Sequence, residues 1–232
     1  AFLKILNAIR KRRVKRLIYA SSSSVYGLRD EPNVREDSPC TPLTDYSKYK
    51  LLCEQELKSA KLGDCDYVII RPATVCGYAR RMRLDLTVNI LTINALARKE
   101  IVVHGGKQLR PNINIKDMIE AYRVLLEAPA ERIQGDTFNA GYQNHSVGDI
   151  AEMVKSEVKD PQLKIRVEST VDHRSYHINS DKIAERLGFR APHTIGDAVQ
   201  SICAAYRGNQ LPNALEDPRY YNIKTMQKVG LK

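Results

Sequence analysis

The sequence has 232 residues, with 37 Lys and Arg against 27 Asp and Glu, a net charge of +10 and 43% hydrophobic residues. That balance excludes a disordered or collagen-like chain and sets the size of one large domain or two interleaved smaller ones. No run approaches the roughly 20 apolar residues that span a bilayer. The amphipathic opening followed by Arg10-Lys11-Arg12-Arg13 reverses the order of a secretory signal, so a cytoplasmic protein with no membrane partner is expected.

Helix and strand patterns alternate along the chain with short polar joints, the pattern of an α/β fold with a largely parallel sheet. Residues 1–10 read as the end of a helix. Residues 15–21 read as a buried strand running into four serines, and residues 27–44 as a loop rich in proline, glycine and charge. Residues 45–61 carry the strong helix formers Leu51, Leu52, Glu54, Glu56 and Leu57, with Gly63 as the expected stop. Tyr67-Val68-Ile69-Ile70 is the next strand, closed by Arg71-Pro72.

Beyond it, residues 80–83 form an arginine-rich loop, 85–98 a helix, 101–103 a short strand and Gly105-Gly106 a turn. Residues 116–127 predict an amphipathic helix stopped by Pro129. Thr137-Phe138-Asn139 is a strand and residues 147–158 another helix. Strands at 165–167 and 176–178 precede helices near 180–187 and 194–206, and the tail from Leu211 onward has no assigned structure.

Five cysteines, Cys40, Cys53, Cys65, Cys76 and Cys203, are an odd number without a close pair, which argues against a disulfide framework or a zinc site. Cys53 and Cys76 read as small buried hydrophobes, since no His stands in a pattern that would make either a nucleophile. The five histidines lack metal-ligand spacing, so no metal is expected. The basic run from Arg10 to Arg16 could serve nucleic acid or an anionic membrane. With no interleaved aromatics it reads instead as a solvated helix end with cations near its negative pole, and no nucleic-acid partner is expected.

Two segments carry chemistry together. In Tyr19-Ala20-Ser21-Ser22-Ser23-Ser24-Val25-Tyr26-Gly27, hydroxyls leave the carboxyl end of a buried strand, the sheet edge where α/β proteins bind ligands. In Tyr46-Ser47-Lys48-Tyr49-Lys50, Tyr46 and Lys50 stand four apart on the opening turn of a helix and share a face. A phenol with a reference pKa near 10 must come down by about 3 pH units, roughly 4 kcal/mol, to act as a base at neutral pH. An ammonium at about 6 Å and an effective dielectric near 20 supplies roughly 3 kcal/mol of that. A serine hydroxyl opposite would orient the substrate alcohol. Alone, Tyr-x-x-x-Lys arises easily by chance among 12 tyrosines; the serine-rich strand end before it and the Arg-Pro strand end after it make it informative.

With Ser-Ser-Val-Tyr-Gly at 23–27, Tyr46 to Lys50, Arg71-Pro72-Ala73-Thr74-Val75-Cys76-Gly77, Arg110-Pro111-Asn112-Ile113-Asn114-Ile115-Lys116-Asp117 and Phe138-Asn139-Ala140-Gly141, the sequence resembles the extended short-chain dehydrogenases/reductases, specifically the NAD-dependent nucleotide-sugar epimerases and dehydratases. The resemblance implies a Rossmann-like, doubly wound parallel sheet with a smaller interleaved α/β substrate-binding domain. Residues 1–80 would be the C-terminal part of the NAD-binding domain and 81–232 mainly the nucleotide-sugar domain, with a strand near 136–140 returning to the first sheet. It implies Ser22 as the catalytic hydroxyl, Tyr46 as the base and Lys50 as the holder of the nicotinamide ribose, with Ala73 also at the cofactor. Ser23, Ser24, Thr74, Arg110, Arg174 and Tyr176 would face the nucleotide sugar, Arg110 as a phosphate ligand in an irregular loop and Arg174 as the phosphate ligand of a second nucleotide-sugar segment at 172–176.

The departures from that pattern are informative. Ser23-Ser24 stand where the 4,6-dehydratases carry an Asp-Glu pair, which leaves an epimerase or a simple reductase. No G-x-G-x-x-G occurs, so the glycine-rich first half of such a domain is expected to lie before residue 1. The resemblance thus implies an NAD-dependent 4-epimerase acting through a 4-keto sugar, as a homodimer. A 4-keto-sugar reductase using NAD or NADP, or a dehydratase, is the alternative within the family, and a catalytically inactive fragment or binding module the alternative outside it. Asn89, inside a helical pattern, reads as polar surface.

Overall fold

The computed structural model describes residues 1–29, 31, 33–170, 175 and 177–230. Helix α1 (Phe2–Arg12) leads into strand β1 (Arg16–Ala20), a 3₁₀ turn (Ser23–Tyr26), α2 (Asp45–Ser59), β2 (Asp66–Pro72) and β3 (Thr74–Cys76). Then come α3 (Thr87–Arg98), β4 (Glu100–His104), β5 (Leu109–Asn114), α4 (Ile115–Glu127), α5 (Ala130–Ile133), β6 (Thr137–Ala140) and β7 (Gln143–Ser146). The chain continues through α6 (Val147–Val158), β8 (Lys164–Glu168), α7 (Asp181–Leu187) and α8 (Ile195–Arg207) to a 3₁₀ turn (Pro218–Tyr220) and α9 (Asn222–Lys228).

These elements form two interleaved units. The first comprises Ala1–Ala73, Asp117–Tyr142 and Arg174–Ala191; the second takes Thr74–Lys116, Gln143–His173 and Pro192–Lys232. The boundary falls at Ala73/Thr74 rather than near residue 80, because β3 leaves the sheet of β2 and pairs with β5. The two units are of nearly equal length in this chain.

In the first unit β1, β2 and β6 form a parallel sheet with β2 in the centre, Leu17 beside Tyr67 and Ile70 beside Phe138. Val68, Ile69 and Ile70 are buried completely, as a central strand covered on both faces requires. Leu6 and Ile9 of α1 and Leu57 of α2 pack with Leu62, Cys65 and Ile69, and Leu17, Tyr19 and Tyr67 join them by strand alternation. The fold is α/β and Rossmann-like with a parallel sheet. Arg16 is not a solvated cation: it donates to the carbonyls of Leu125 (3.2 Å) and Ala128 (2.7 Å) and pairs with Asp66, satisfying acceptors left open at the end of α4.

Helix α2 starts at a reciprocal cap in which the Thr44 and Ser47 side chains each accept from the other's backbone N–H. It ends at Ala60 in an extended conformation, three residues before Gly63, which therefore is not its cap. Inward, Glu54 meets Arg71 of β2 in a two-pronged pair at 2.7 and 3.0 Å, with both side chains almost fully buried. Arg71 also donates to the Tyr26 hydroxyl (2.8 Å) and the Glu36 carbonyl (3.1 Å). Tyr26 in turn donates to Asn139 Oδ1 at 2.7 Å, and Asn139 N–H donates to the Glu36 carboxylate at 2.7 Å. One polar cluster thus ties α2, β2, β6, the turn after β1 and the 27–44 loop together. Burial drives the Tyr26 phenol up to about 12 against the opposing pull of Arg71, and burial likewise raises the Glu36 carboxyl. Gly27 (φ 70°) lies so close to Thr41 that an added Cβ would sit 2.0 Å from its carbonyl oxygen, which fixes where the loop begins.

The second unit packs α3, α6 and α8 over the parallel pair β4–β8, with Val88, Leu91, Ile101, Ile150, Val154 and Val199 in its core. β5 lies between β3, parallel, and β7, antiparallel. Residues 109–114 and 143–146 were not expected as strands. Their polar residues and Pro111 mask the period, and pairing supplies it. Conversely, Ser175, His177 and Ile178 are not strand, while Tyr176 lies outside the described residues. The tail folds as α9, its N-terminus bonded to Asp85. α1, α3 and α6 end on Arg13, Lys99 and Lys159, each left-handed (φ 49°, 55° and 56°).

Arg71→Met strands the Glu54 carboxylate in the interior and should cost about 3–5 kcal/mol in urea unfolding, while Arg71→Met with Glu54→Leu should recover most of it. Glu36 holds its proton more tightly folded than unfolded, so its contribution to stability is present at acid pH and lost as pH rises through its folded value. Glu36→Gln keeps the acceptor for Asn139 and should therefore lose less stability than the wild type between acid and neutral pH, read from Tm against pH. A gap independent of pH would exclude this role.

Candidate active site

β1 ends at Ala20 and its serines turn at once. Ser22 caps the 3₁₀ turn: its Oγ accepts from Ser24 N–H at 3.2 Å and lies 2.9 Å from Ser24 Oγ. Ser22 and Ser24 are half-buried and Ser23 is buried. The buried Ser21 hydroxyl has no hydrogen-bond partner among the described residues.

Helix α2 supplies the second component. Ser47, Glu54 and Leu57 form its buried stripe, and Lys50 lies on that stripe, half-buried. Tyr46 is 59% exposed. It sits inside the capped first turn, at the positive end of the helix dipole, where negative charge is favoured. Lys50 Nζ lies 5.6 Å from the centre of the Tyr46 ring and 5.5 Å from that of Tyr19. It donates to the Ala20 carbonyl at 2.6 Å, and the Tyr19 hydroxyl donates to the Lys50 carbonyl at 3.3 Å. Burial draws the Lys50 ammonium below its ordinary value, with Cys53 opposing. The structure therefore brings Tyr46, Lys50 and the end of β1 together, two residues before Ser22.

Ala73 is buried at the close of the first unit, its N–H donating to Ala140 at 2.8 Å. Thr74 opens β3 opposite Asn112 in the second unit. Arg110 stands in a strand, not in the irregular loop expected, because β5 is paired there with His145 of β7. It is 8% exposed, and its Nη1 donates to the Leu109 carbonyl at 2.9 Å. Arg174 and Tyr176 lie outside the described residues.

Asn89 is not surface. It is buried, its Oδ1 accepting from Gly77 N–H (3.1 Å) and its Nδ2 donating to the Arg83 carbonyl (2.8 Å), which closes the 77–83 segment on itself. The apolar flanks Val88 and Leu91 were the available signal. Tyr19 has no role in the sequence reading, although its alternation with Leu17 sets it on the face that α2 covers. Among the described residues no group of three or more His, Cys, Asp or Glu is placed to hold a metal ion.

The model of the NAD dependent epimerase/dehydratase family matches residues 1–141. The UDP-glucose 4-epimerase of Lactobacillus helveticus is 24% identical over 236 residues, covering 93% of this chain and 70% of that protein. UDP-arabinose 4-epimerase 1 of Arabidopsis thaliana is 24% identical over 233 residues, covering 90% of this chain and 54% of that protein. The chain thus spans only about half of the second relative's length. Among solved structures, the dTDP-glucose 4,6-dehydratase of Bacillus anthracis in complex with NAD aligns with a TM-score of 0.80 at 19% identity, over 93% of this chain and 69% of that one, a likeness of fold. Since the matched model takes in more than half of its residues, the chain belongs to the NAD-dependent epimerase/dehydratase family.

Proposed function

We propose that this chain carries the proton-transfer centre of an NAD-dependent nucleotide-sugar epimerase acting at the sugar's 4-position. The observation that carries the reading is the Lys50 ammonium lying over the Tyr46 ring while bonded to the last carbonyl of β1. A positive charge held beside this ring is placed to stabilise negative charge that develops as the proton moves. Tyr46 takes the proton of the sugar's 4-hydroxyl, and Ser22 orients that hydroxyl. After the resulting 4-keto sugar has presented its other face, Tyr46 returns the proton to the same oxygen.

The donor set fits a dinucleotide at this edge. An ammonium has three N–H donors, of which Lys50 gives one to Ala20, leaving donors suited to ribose hydroxyls, and the Ser21 hydroxyl is buried without a partner among the described residues. When bound, NAD supplies reversible hydride acceptance at the sugar carbon. Ala73 is the proposed cofactor contact on the β2 side, and NADP is the alternative form. The proposed substrate is a nucleotide-diphosphate sugar, with Arg110 and Arg174 on the diphosphate and Ser23, Ser24, Thr74 and Tyr176 about the sugar. Hydroxyls at 23 and 24 offer no acid for expelling water, which favours epimerisation over dehydration. The relatives named as 4-epimerases support the same choice.

A cytoplasmic homodimer completes the proposal. No disulfide joins the five cysteines. α1 leaves Leu3 (58%) and Ile5 exposed, and α2 leaves Tyr49 (67%) and Leu52 exposed, apolar surface that a second copy would cover.

In the protein that turns over a UDP-hexose, Tyr46→Phe should lower kcat by about 10²–10⁴-fold while leaving nucleotide-sugar affinity within about twofold, because only the proton acceptor is removed. Undiminished turnover would refute the assignment, and net consumption of reduced cofactor would move the reading to a 4-keto-sugar reductase. For the dimer, Leu3→Glu with Leu52→Glu should halve the sedimenting mass. An unchanged mass would sink this interface.

A further inference from the structure

We infer that Tyr19 is a positioning residue for Lys50, forming with Tyr46 a two-ring clamp that holds the ammonium at the carboxyl end of β1. Lysine ends a flexible four-carbon stem with a compact charge, so nothing in its own geometry aims it. Here three contacts do. Nζ lies 5.5 Å from the Tyr19 ring centre and 5.6 Å from that of Tyr46, both within the range where a ring face attracts a cation, and it donates to the Ala20 carbonyl.

Tyr19 is itself held on two sides. Phe2 of α1 lies against its ring at 5.0 Å between centres, which holds the ring in place, and the Tyr19 hydroxyl adds a 3.3 Å bond to the Lys50 backbone carbonyl. The ionisable groups facing this ammonium are Tyr19 from β1 and Tyr46 and Cys53 from its own helix. Glu54 acts on Tyr19 from the same helix. None of the described ion pairs gives Lys50 a carboxylate. The ring faces therefore supply the attraction that a carboxylate supplies elsewhere, without the negative charge that would compete for a nearby phenol's proton. Half-burial favours a neutral amine, and the clamp works against that tendency.

The clamp is a property of this chain, while its catalytic meaning rests on the roles given above to Tyr46 and Lys50. Cofactor-free protein with ¹³C-labelled lysine, assigned through Lys50→Arg, tests it by NMR without turnover. In the wild type the Lys50 ε-methylene protons should lie upfield of the other lysines, displaced by the ring faces. Tyr19→Leu should lower the Lys50 titration midpoint by about half to one pH unit and abolish part of that displacement, whereas Tyr19→Phe, which keeps the ring, should leave both nearly unchanged. If Tyr19→Leu does not fold, Tyr19→Met and the wild-type shift decide the matter. A wild-type Lys50 at ordinary chemical shift, or a ring-less variant titrating like the wild type, overturns the inference. A clamped Lys50 in a protein without epimerase activity would sink the functional proposal and leave the clamp standing.

Discussion

Glu54 and Arg71 bury opposite charges between a helix and the central strand of the first unit, and the rest of the site takes its position from that contact. Apolar replacements of such pairs are often neutral or stabilising, so its importance lies in what it joins. Glu54 stands one helical turn beyond Lys50 and two beyond Tyr46, and the two-pronged contact with Arg71 sets the rotation of α2 about its own axis. Through Tyr26 and Asn139 the same guanidinium reaches the turn that carries Ser22 and the strand that follows α5. Burial alone would weaken the Arg71 charge; the bond to Glu54 outweighs it and keeps the cation in place.

Much of this was legible in the sequence. The parallel strands around Ile18 and Ile69 announce themselves as short apolar runs, and the helices by their 3.6-residue period. Tyr46 and Lys50 were found because their spacing is a helical one beside a run of hydroxyls. Glu54 was visible as a helix former within 45–61 and Arg71 as the close of the strand at 67–70. Their partnership was not, since nothing local says that two charges 17 residues apart neutralise each other.

The second unit was harder to read for a physical reason. β3 has three residues, β5 carries Asn112, Asn114 and a proline, and β7 is entirely polar, so none presents an apolar alternation. They are strands because they pair with one another, an interaction absent from any local window. Asn89 misled in the opposite direction: a polar residue in a helix usually faces water, but here backbone groups of the preceding segment take its amide. Burial of a polar side chain follows from where its partners fold, which no propensity encodes.

Three helices close on a basic residue in the left-handed conformation where glycine is the usual occupant. A side chain there costs roughly 1–2 kcal/mol, and a cation at the helix's negative end returns about 0.3–1 kcal/mol of it at the surface. The sequence has therefore settled short of its attainable heat tolerance at Arg13, Lys99 and Lys159. An engineer seeking a hardier version has room to work at these helix ends, none of them among the residues proposed to move protons or hold the sugar.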